Sequence, residues 1–447
     1  MATIGTRERR TLTPLEDARE LVLAAARPLA SEEVGLGDAL GRTLAADVAS
    51  GDEVPGFDNS AMDGYAVRAA DLAEAGEAEP VELRLIDESS AGSPAGIELG
   101  AGEAIRISTG AAIPAGADAV LRLENADEEA GRVRALAALR PGQEVRRAGE
   151  DIRAGAVVLR AGAVLGPAEL GVLASVGVPR AACTRRPRAS VLTTGEELIE
   201  PGEEAFPGAV RNANARTIAA QALLAGCEVA RAEVVGDDPD AISVALDGPL
   251  ADSDLLAVCG GVSVGVHDHV KPALAELGVS EVFWGVALRP GRPTWFGFRD
   301  RPQGGRTLVF GLPGNPVSAM VTFHLFARPA AATMLGRPEP RIQIQARLAA
   351  RYEKHPGRAH AVRCALELGD DGWSARPTGS QASHVLTSML GADGLAVIPA
   401  ESGPVEGGAL VTVEPFAGFS GPPAAGIPGP TPSGPRSPRA SRSAPRP

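Results

Sequence analysis

The sequence predicts a multidomain α/β protein, and three observations support this fold class. Strand-like and helix-like segments alternate over 187–336, which is typical of a parallel-rich sheet with right-handed crossovers. Short β-type runs broken by Gly, Pro and Asp fill 51–147 and indicate a separate β-rich module. Short strands return after residue 337 and predict a small C-terminal β domain. At 447 residues the chain is long enough for about three domains.

The remaining segments predict a discontinuous domain of helices and hairpins. Residues 13–29 place apolar side chains on one face of a helix, and residues 36–48 resemble a second helix. Residues 154–178 combine a hairpin with a short helix that starts at Pro167. The predicted division is therefore 10–50 with 148–186 (helical and hairpin linker domain), 51–147 (β-rich module), 187–336 (α/β domain), 337–418 (C-terminal β domain) and a tail at 421–447.

Individual elements follow from local patterns. The clearest strands of the β-rich module are 81–87 and 104–108. In the α/β region the predicted order is strand 189–194, helix 217–226, strand 228–235, helix 240–250, strand Leu255–Val258 and strand Leu308–Phe310.

Charge and composition exclude several classes of protein. A net charge of −13 argues against nucleic acid as the main partner, because phosphate backbones require a basic surface. No run approaches the ~18 apolar residues of a membrane span, and no signal-peptide core follows the N-terminus, so a cytoplasmic location is expected. The four cysteines form no C-x-x-C pair, which fits a reduced protein without a zinc site. Residues 421–447 hold nine prolines, four arginines and no acid, so disorder is predicted there.

The densest cluster of functional signals is the strand and glycine-rich turn at 255–271. Gly260, Gly261 and Gly265 allow the backbone to turn sharply and to approach a ligand. Backbone N–H groups in such a turn can bind an anion. Asp268 is predicted to lie at the start of the following helix, where its carboxylate could hold a metal ion or a hydroxyl group. An ordinary turn between strand and helix is the alternative interpretation.

A second strand–loop–helix element follows at 308–319. Asn315 is predicted to be the N-cap of its helix and Pro316 the first helical residue. Because the carboxyl ends of parallel strands meet at one edge of a sheet, the two elements are expected to form one crevice. The sequence therefore predicts a binding site for a phosphorylated small molecule at this edge.

Further turns carry carboxylate and hydroxyl groups. Residues 58–67 place two aspartates, an asparagine and a serine around a glycine, a set that suits a divalent cation or ligand hydroxyls. On local chemistry alone, an Asx-turn that leads into a hairpin is the favoured interpretation of the same residues. Thr109 and Asp151 are the notable polar residues of two similar turns. In 191–198 a strand runs directly into paired glutamates at the sheet edge of the glycine-rich turn.

Arg289 and Arg292 lie together in a loop that contains two prolines. Guanidinium groups bind phosphate or another tetrahedral oxyanion bidentately. Solvated surface arginines are the alternative, but a pair stiffened by Pro and Gly is less typical of an ordinary solvated face.

Eight motifs occur along the chain in a fixed order: DNSAMDGYAV, STGAAIPAGADAV, GEDIRAGAVV, TTGEEL, GGVSVG with its following Asp, RPGRP, GLPGNPVSA and GSQASHVL. This order resembles that of the molybdopterin molybdenumtransferases, the MoeA family, which is similar to the gephyrin E domain. The resemblance covers about residues 10–416, and its most specific parts are the first and seventh motifs.

The resemblance implies an elongated homodimer whose region 187–336 is a molybdenum-cofactor-binding-type α/β domain. It also implies a reaction in which molybdate is inserted into adenylylated molybdopterin, with loss of AMP, to give molybdenum cofactor. Cleavage of a phosphoanhydride requires charge neutralisation, so Mg²⁺ is the expected cofactor. A molybdopterin adenylyltransferase and apo-molybdoenzymes are the expected protein partners. A non-catalytic carrier or scaffold that delivers mature cofactor to apo-enzymes is the alternative function.

Carried over residue by residue, the resemblance assigns three groups of site residues. The expected catalytic residues are Asp63, Thr109, Asp151, Glu197 and Asp268, with Glu197 and Asp268 also the expected metal ligands. The glycine-rich turn and the GLPGNP loop supply the expected substrate-binding positions, Gly260, Gly261, Ser263, Gly265, Lys271, Pro313, Gly314, Asn315 and Pro316. The expected molybdate contacts are Arg289, Arg292, Pro293, Arg363 and Ser383. The family's loop usually has lysines at the two arginine positions, so this chain keeps the positive charge there.

Overall fold

The computed structural model describes residues 11–262, 269–337 and 342–416, which divide into two compact units. Within the described residues, unit 1 comprises 11–45, 161–166 and 181–416, and unit 2 comprises 46–160 and 167–180. The finer division into five regions stays a prediction, and the tail at 421–447 lies outside the described residues.

The α-helices are α1 (Leu15–Ala25), α2 (Pro167–Ser175), α3 (Asn214–Leu224), α4 (Pro239–Asp252), α5 (Val270–Glu276), α6 (Pro316–Thr322) and α7 (Arg328–Met334). A π-helical segment, Phe323–Ala327, joins α6 to α7. Short 3₁₀ turns occur at Leu36–Asp38, Ala69–Leu72, Leu123–Asn125 and Leu386–Met389.

The strands of the first half of the chain are β1 (Ser31–Gly35), β2 (Val48–Ala49), β3 (Asn59–Ser60), β4 (Gly64–Val67), β5 (Gly76–Ser89), β6 (Glu103–Ile107), β7 (Ala119–Arg122), β8 (Ala126–Glu129), β9 (Arg132–Ala137), β10 (Val145–Arg146), β11 (Val157–Leu159), β12 (Arg180–Thr184), β13 (Arg188–Thr194), β14 (Leu198–Ile199) and β15 (Val210–Arg211). Those of the second half are β16 (Glu228–Val235), β17 (Leu255–Cys259), β18 (Ser280–Trp284), β19 (Leu288–Arg289), β20 (Trp295–Asp300), β21 (Arg306–Leu312), β22 (Ile344–Leu348), β23 (Ala359–Gly369), β24 (Gly372–Pro377), β25 (Gly394–Ile398) and β26 (Leu410–Pro415).

Unit 2 is built on a six-stranded sheet with the order β7-β4-β6-β5-β9-β8. The pair β5–β6 is parallel, and the other neighbours are antiparallel. Alternate side chains of its strands enter two separate cores, Tyr65 and Leu121 into one and Ile105 and Ile107 into the other. The strands predicted for the β-rich module are thereby confirmed.

The central sheet of unit 1 has the order β16-β13-β17-β21-β20-β18. Strands β16, β13, β17 and β21 pair in parallel, whereas β20 is antiparallel to both of its neighbours. This strand departs from the expected parallel pattern because a short turn joins β20 to β21, and such a turn links antiparallel strands. Every residue of β17 is buried, as expected for a strand covered on both faces. Helices α3 and α6 contribute to the core on one face, and α4 and α5 to the core on the other.

The predicted C-terminal β domain is a small closed barrel. Strands β23, β24, β22, β26 and β25 follow one another around it, and β25 pairs back onto β23. The short strand β19, which belongs to the preceding α/β region of the sequence, adds to β23 in parallel. This pairing attaches the arginine loop of the α/β region to the barrel within unit 1.

Helix α1 and helix α2 confirm two predictions, and two others are wrong. Residues 36–48 form a 3₁₀ turn followed by extended chain rather than a helix, because two glycines, Gly37 and Gly41 (the latter at φ +74°), disfavour helix there. The hairpin expected within 154–165 is also absent from the structure. Val157–Leu159 pairs with Val48–Ala49, so a strand from a distant part of the sequence takes the place of the local partner.

Among the described residues, no helix combines the length and the apolar character that a membrane span requires.

Candidate active site

The glycine-rich turn lies at the carboxyl end of β17, as predicted. Gly260 and Gly261 have φ of +96° and +61°, a backbone conformation that favours glycine. A Cβ on Gly260 would lie 2.7 Å from the carbonyl oxygen of Thr194, and one on Gly261 would lie 2.5 Å from Cγ2 of Val270. The turn therefore packs directly against the end of β13 and the start of α5, where only glycine fits.

The end of β13 brings a carboxylate to the same sheet edge. Glu197 is exposed, and its carboxylate folds back over Gly195, where an added Cβ would lie 2.7 and 2.8 Å from the two oxygens. The buried hydroxyl of Thr194 has no hydrogen-bond partner among the described residues and faces the Gly260–Gly261 turn.

The loop between β21 and α6 is held by side chains from outside it. Asn315 is the N-cap and Pro316 the first helical residue, as predicted. The Asn315 side chain does not cap the helix, however, and instead donates a 3.1 Å hydrogen bond to Oγ of Ser383. The carbonyl oxygen of Gly314 accepts a 2.8 Å hydrogen bond from Nδ2 of Asn214. The loop is thereby tied both to the start of α3 and to the C-terminal barrel.

The arginine loop has a fixed backbone. Gly291 has φ +116°, and a Cβ there would lie 2.4 Å from Cγ2 of Thr322, so the turn requires glycine. The hydroxyl of Thr294 donates a 2.6 Å hydrogen bond to the carbonyl oxygen of Gly291. Arg289 and Arg292 are both exposed at this turn, so a rigid backbone presents two flexible cationic side chains.

The arginine loop and the loop between β21 and α6 line a cleft of about 360 Å³ in unit 1, whereas Gly260, Gly261 and Glu197 are not among its lining residues. It brings together six of the residues that the sequence assigned to binding, Arg289, Arg292, Pro293, Pro313, Asn315 and Ser383. Four further side chains with polar groups line it, and sequence reasoning missed all of them: Ser318, Arg358, Gln381 and His384.

A repeated tripeptide in the sequence could have revealed Arg358. The tripeptide Pro-Gly-Arg occurs at 290–292 and again at 356–358. The parallel pairing of β19 with β23 places Arg289 opposite His360, and the amide of Ala359 donates a 2.8 Å hydrogen bond to Ala287. This pairing brings the two Pro-Gly-Arg turns to the same cleft, although 66 residues separate them in sequence.

The cleft carries unbalanced positive charge. Within the part of the chain that the structure describes, Arg289, Arg292 and Arg358 form no ion pair with a carboxylate. Burial, Arg289, Lys354 and Arg358 together lower the pKa of the nearby His360 to about 4, so this histidine is neutral at pH 7. A second polar cavity of about 270 Å³ shares Arg289 and Arg358 with the cleft. The charge arrangement suits an anion with several oxygens.

Arg363, an expected molybdate contact, lies behind the loop that supplies Ser383 to the cleft. Its side chain is fully buried and is not among the residues that line the cleft. The guanidinium group donates to the carbonyl oxygens of Ser380 (2.9 Å) and Ala382 (3.4 Å) and to Oγ of Ser388 (3.0 Å). Arg363 therefore positions the loop that supplies Ser383, and its expected contact with molybdate stays a prediction.

In unit 2, the two aspartates of the motif at 58–67 have different surroundings. Asp58 accepts hydrogen bonds from Arg147 and from the amide of Ala148 (2.9 Å), so the structural interpretation holds for this residue. Asp63, in contrast, is exposed, and one of its oxygens accepts from the amide (2.6 Å) and the hydroxyl (2.9 Å) of Thr109. These two hydrogen bonds lower the pKa of Asp63 below its ordinary value. Asp151 is exposed in the same unit.

The other predicted site residues are placed as follows. Ser263, Gly265 and Asp268 lie outside the described residues, and the described part of the following helix begins at Val270. Lys271 lies in the first turn of α5, with its Nζ 5.5 Å from the ring centroid of Trp284. In the described ranges no three His, Cys, Asp or Glu side chains are grouped closely enough to hold a metal ion.

Three family profiles match successive parts of the chain. They are described as "MoeA N-terminal region (domain I and II)" over residues 13–177, "Probable molybdopterin binding domain" over 190–333 and "MoeA C-terminal region (domain IV)" over 345–416. The molybdopterin molybdenumtransferase of Haemophilus influenzae is 35% identical over 395 residues, which are 87% of this chain and 95% of that protein. This chain belongs to the molybdopterin molybdenumtransferase family.

Other members of the molybdopterin molybdenumtransferase family give the same result. The Bacillus subtilis molybdopterin molybdenumtransferase is 34% identical over 411 residues, which are 91% of this chain and 94% of that protein. A crystal structure of a molybdopterin biosynthesis MoeA protein from Pyrococcus horikoshii superposes with a TM-score of 0.78 at 33% identity and covers 91% of this chain and 99% of that one. The family resemblance and the multidomain α/β fold class are thereby confirmed.

Proposed function

We propose that this protein inserts molybdate into adenylylated molybdopterin, with release of AMP, to form molybdenum cofactor. The observation that carries the proposal is the cleft of about 360 Å³ in which Arg289, Arg292 and Arg358 converge without carboxylate partners among the described residues. The names of the relatives, molybdopterin molybdenumtransferase, support the transfer of molybdenum to molybdopterin, and the adenylylated substrate and the release of AMP are proposed from the resemblance.

The cleft residues bind and orient the oxyanion. Planar guanidinium groups donate paired hydrogen bonds to a tetrahedral oxyanion, and arginine keeps its charge over the whole working pH range. Ser383 adds a hydroxyl and Gln381 an amide at the cleft wall. The Gly291 turn and the Arg363 network hold two walls of the cleft in place before any ligand binds, so little ordering is left for the binding step.

The acidic and hydroxyl groups act on the phosphoanhydride of the other substrate. The hydrogen bonds from Thr109 hold the Asp63 carboxylate in place and lower its pKa below the ordinary value, so it offers an oriented negative group. Such a group can orient a metal-bound or water-bound oxygen of the substrate. Asp151 and Glu197 are proposed to contribute in the same reaction, as the resemblance implies.

Mg²⁺ is the proposed cofactor, and the residues fit it in chemical type. Mg²⁺ is commonly held by one or two carboxylates together with substrate phosphates and water. The exposed Glu197 carboxylate at the sheet edge is of this kind, and Asp268 is the second proposed ligand. When bound, the ion would neutralise charge on the departing AMP phosphate.

The assembly and setting are proposed from the family. We propose a homodimer in the cytoplasm that receives adenylylated molybdopterin from a molybdopterin adenylyltransferase and passes the product to apo-molybdoenzymes. Light scattering of the purified full-length chain tests the dimer, since a monomeric mass at working concentration would contradict it.

The function is tested by incubating the protein with adenylylated molybdopterin, Mg²⁺ and either molybdate or tungstate while AMP release is measured. An enzyme gives release that depends on the oxyanion and turns over more than once per chain. A carrier or scaffold gives binding of the finished cofactor without release of AMP. Stoichiometric binding with no AMP would therefore overturn the proposal.

A further inference from the structure

A third cavity in unit 1, of about 190 Å³, shares no lining residue with the arginine cleft or with the polar cavity beside it. Five apolar side chains form most of its wall, namely Leu224, Met320, Phe323, Met389 and Phe416. They come from α3, α6, the π-helical segment, the last 3₁₀ turn and the end of the barrel. The proposed function makes no use of this cavity.

Three polar side chains complete the wall, and each has an unpartnered buried atom. These atoms are Nε2 of His324, Oε1 of Gln221, and Nε and Nη2 of Arg328. The other amide atom of Gln221 donates to the carbonyl oxygen of Met320 (3.2 Å), which fixes the orientation of that side chain. Buried polar atoms without partners are uncommon in native proteins, and each leaves a large desolvation penalty uncompensated.

The ion pairs around the cavity leave one guanidinium group without a counter-charge. The buried Arg19 lies 2.7 Å from Oε1 of the buried Glu414 and 2.7 Å from Oε1 of Glu16. Arg328 has no carboxylate within ion-pair distance among the described residues, although Glu414 is near enough to raise its pKa. Burial acts more strongly and lowers the pKa of Arg328, as expected for a cation without a close partner.

His324 does not supply a second positive charge. Burial first, and then the positive charges of Arg328 and Arg19, lower its pKa well below the ordinary value, whereas the backbone of Glu414 raises it. The ring is therefore neutral at pH 7, and its edge packs against Phe416 with ring centroids 4.9 Å apart. The positive charge at the cavity thus belongs to Arg328 alone among its lining residues.

We propose that this cavity binds a small monocarboxylate with an aromatic or similarly compact apolar body, whose carboxylate pairs with Arg328. The size is suitable, since a cavity of about 150 Å³ is known to hold benzene. The apolar wall would bury the ring, and the carboxylate would supply the counter-charge at ion-pair distance that Arg328 lacks among the described residues. The site is separate from the chemistry of the cleft and does not depend on the proposed function.

The first experiment needs no variant. Binding of benzoate, benzamide and benzylamine to the full-length protein is measured by isothermal titration calorimetry. A charge-assisted hydrogen bond contributes about 1.5–3 kcal/mol, so benzoate should bind roughly 10- to 150-fold more tightly than the neutral benzamide. Benzylamine should not bind. Equal affinity for benzoate and benzamide, or binding of neither, would overturn the proposal.

Three variants show which site holds the benzoate. Arg328→Gln should abolish the preference for benzoate over benzamide, whereas the exposed Arg347→Gln should retain it. Arg292→Ala, which alters the other anion site of unit 1, should also retain it. If Arg292→Ala alone removed benzoate binding, the ligand would belong to the cleft and the proposal would be wrong.

A truncated chain tests whether the chain's own C-terminal segment, rather than a free ligand, occupies the cavity. Benzoate should bind equally to the full chain and to a chain that lacks residues 417–447. Binding only after truncation would mean that the chain's own C-terminal segment fills the cavity, and this would overturn a free ligand site. Should Arg328→Gln fail to fold, the ligand series and the truncation on otherwise wild-type protein still decide the question.

Discussion

The central sheet of unit 1 has arginines at both of its edges, and the two groups differ in their partners. At the amino-terminal edge, Asp254 is almost fully buried and accepts two hydrogen bonds from Arg185 (2.6 and 2.8 Å), one from Arg301 (3.0 Å) and one from the amide of Arg188 (2.9 Å). At the carboxyl edge, the arginines of the cleft are exposed and have no carboxylate partner among the described residues.

The arginines at the amino-terminal edge therefore stabilise the fold, whereas the arginines of the cleft are available to bind a ligand. The Asp254 cluster lies where β13, β17 and the β20–β21 turn begin or meet, so it fixes the strands to one another. A buried ion pair of this kind is costly to break, because removing one partner leaves the other buried and uncompensated. The cleft arginines contribute little to stability in the same sense, since exposed charges are screened by solvent.

The largest effect on stability is expected from removing the Asp254 carboxylate at the amino-terminal edge. Asp254→Asn should lower the free energy of unfolding by about 3–5 kcal/mol, because Arg185 and Arg301 would lose their shared carboxylate. Chemical denaturation followed by circular dichroism measures this. The matched control is Asp252→Asn, whose half-exposed pair with Arg231 (3.1 Å) should contribute no more than about 1 kcal/mol. Equal losses in both variants would contradict the distinction between the two edges.

The same cluster predicts a pH dependence. Burial alone would raise the pKa of Asp254, but the hydrogen bonds from Arg185, the Arg188 amide and Arg301 outweigh it, so the pKa lies below its ordinary value. A depressed pKa in the folded state stabilises the fold above the unfolded-state pKa, and this contribution is lost as the pH falls through the folded-state value. The wild type should therefore lose more stability than Asp254→Asn between about pH 5 and about pH 3. Parallel stability curves for the two proteins would argue against this role of Asp254.

The sequence predicted much of the fold for reasons that the same sheet illustrates. The apolar run of β17, the glycine turn after it and the Asn-Pro start of α6 are local signals, and local signals were sufficient there. The pairing of Val157–Leu159 with Val48–Ala49 depends on partners distant in sequence, so no local pattern could predict it. Arg358 was missed for the same reason, since only the β19–β23 pairing brings it to Arg289. Arg363 was assigned by resemblance alone, and its burial inside the barrel could not be derived from the sequence.

At the carboxyl edge, a substitution of a cleft arginine should change the affinity for molybdate without changing the stability of the fold. Arg292→Ala should raise the molybdate concentration that gives a half-maximal rate by roughly 10- to 150-fold, because a charge-assisted contact of about 1.5–3 kcal/mol is lost. The melting temperature and the affinity for adenylylated molybdopterin should stay unchanged. Weakening of both substrates to the same extent would instead place Arg292 on the phosphate of the pterin.

Arg363 shares a property with each group of arginines. It is buried like the arginines around Asp254, yet it holds a wall of the cleft. Arg363→Gln removes hydrogen bonds to the Ser380–Ala382 loop, each contributing about 0.5–1.5 kcal/mol. The half-saturating molybdate concentration should therefore rise about two- to tenfold, with the maximal rate retained. The exposed Arg376→Gln in the same barrel is the control. A lower melting temperature with no change in molybdate response would make Arg363 purely structural, and an effect as large as that of Arg292→Ala would make it a direct contact.

The smallest effect is expected from the four arginines of residues 421–447, which the sequence assigns to neither group. This segment has nine prolines among 27 residues and no acidic residue, so it offers no carboxylate partner and too few apolar side chains to form a core. Deletion of residues 421–447 should therefore leave the melting temperature, the molybdate response and the rate of AMP release unchanged. Differential scanning calorimetry and the AMP assay on the shortened chain measure all three. A fall of several degrees in the melting temperature would show that these residues dock onto the folded protein, and a selective loss of molybdate response would place their arginines with those of the cleft.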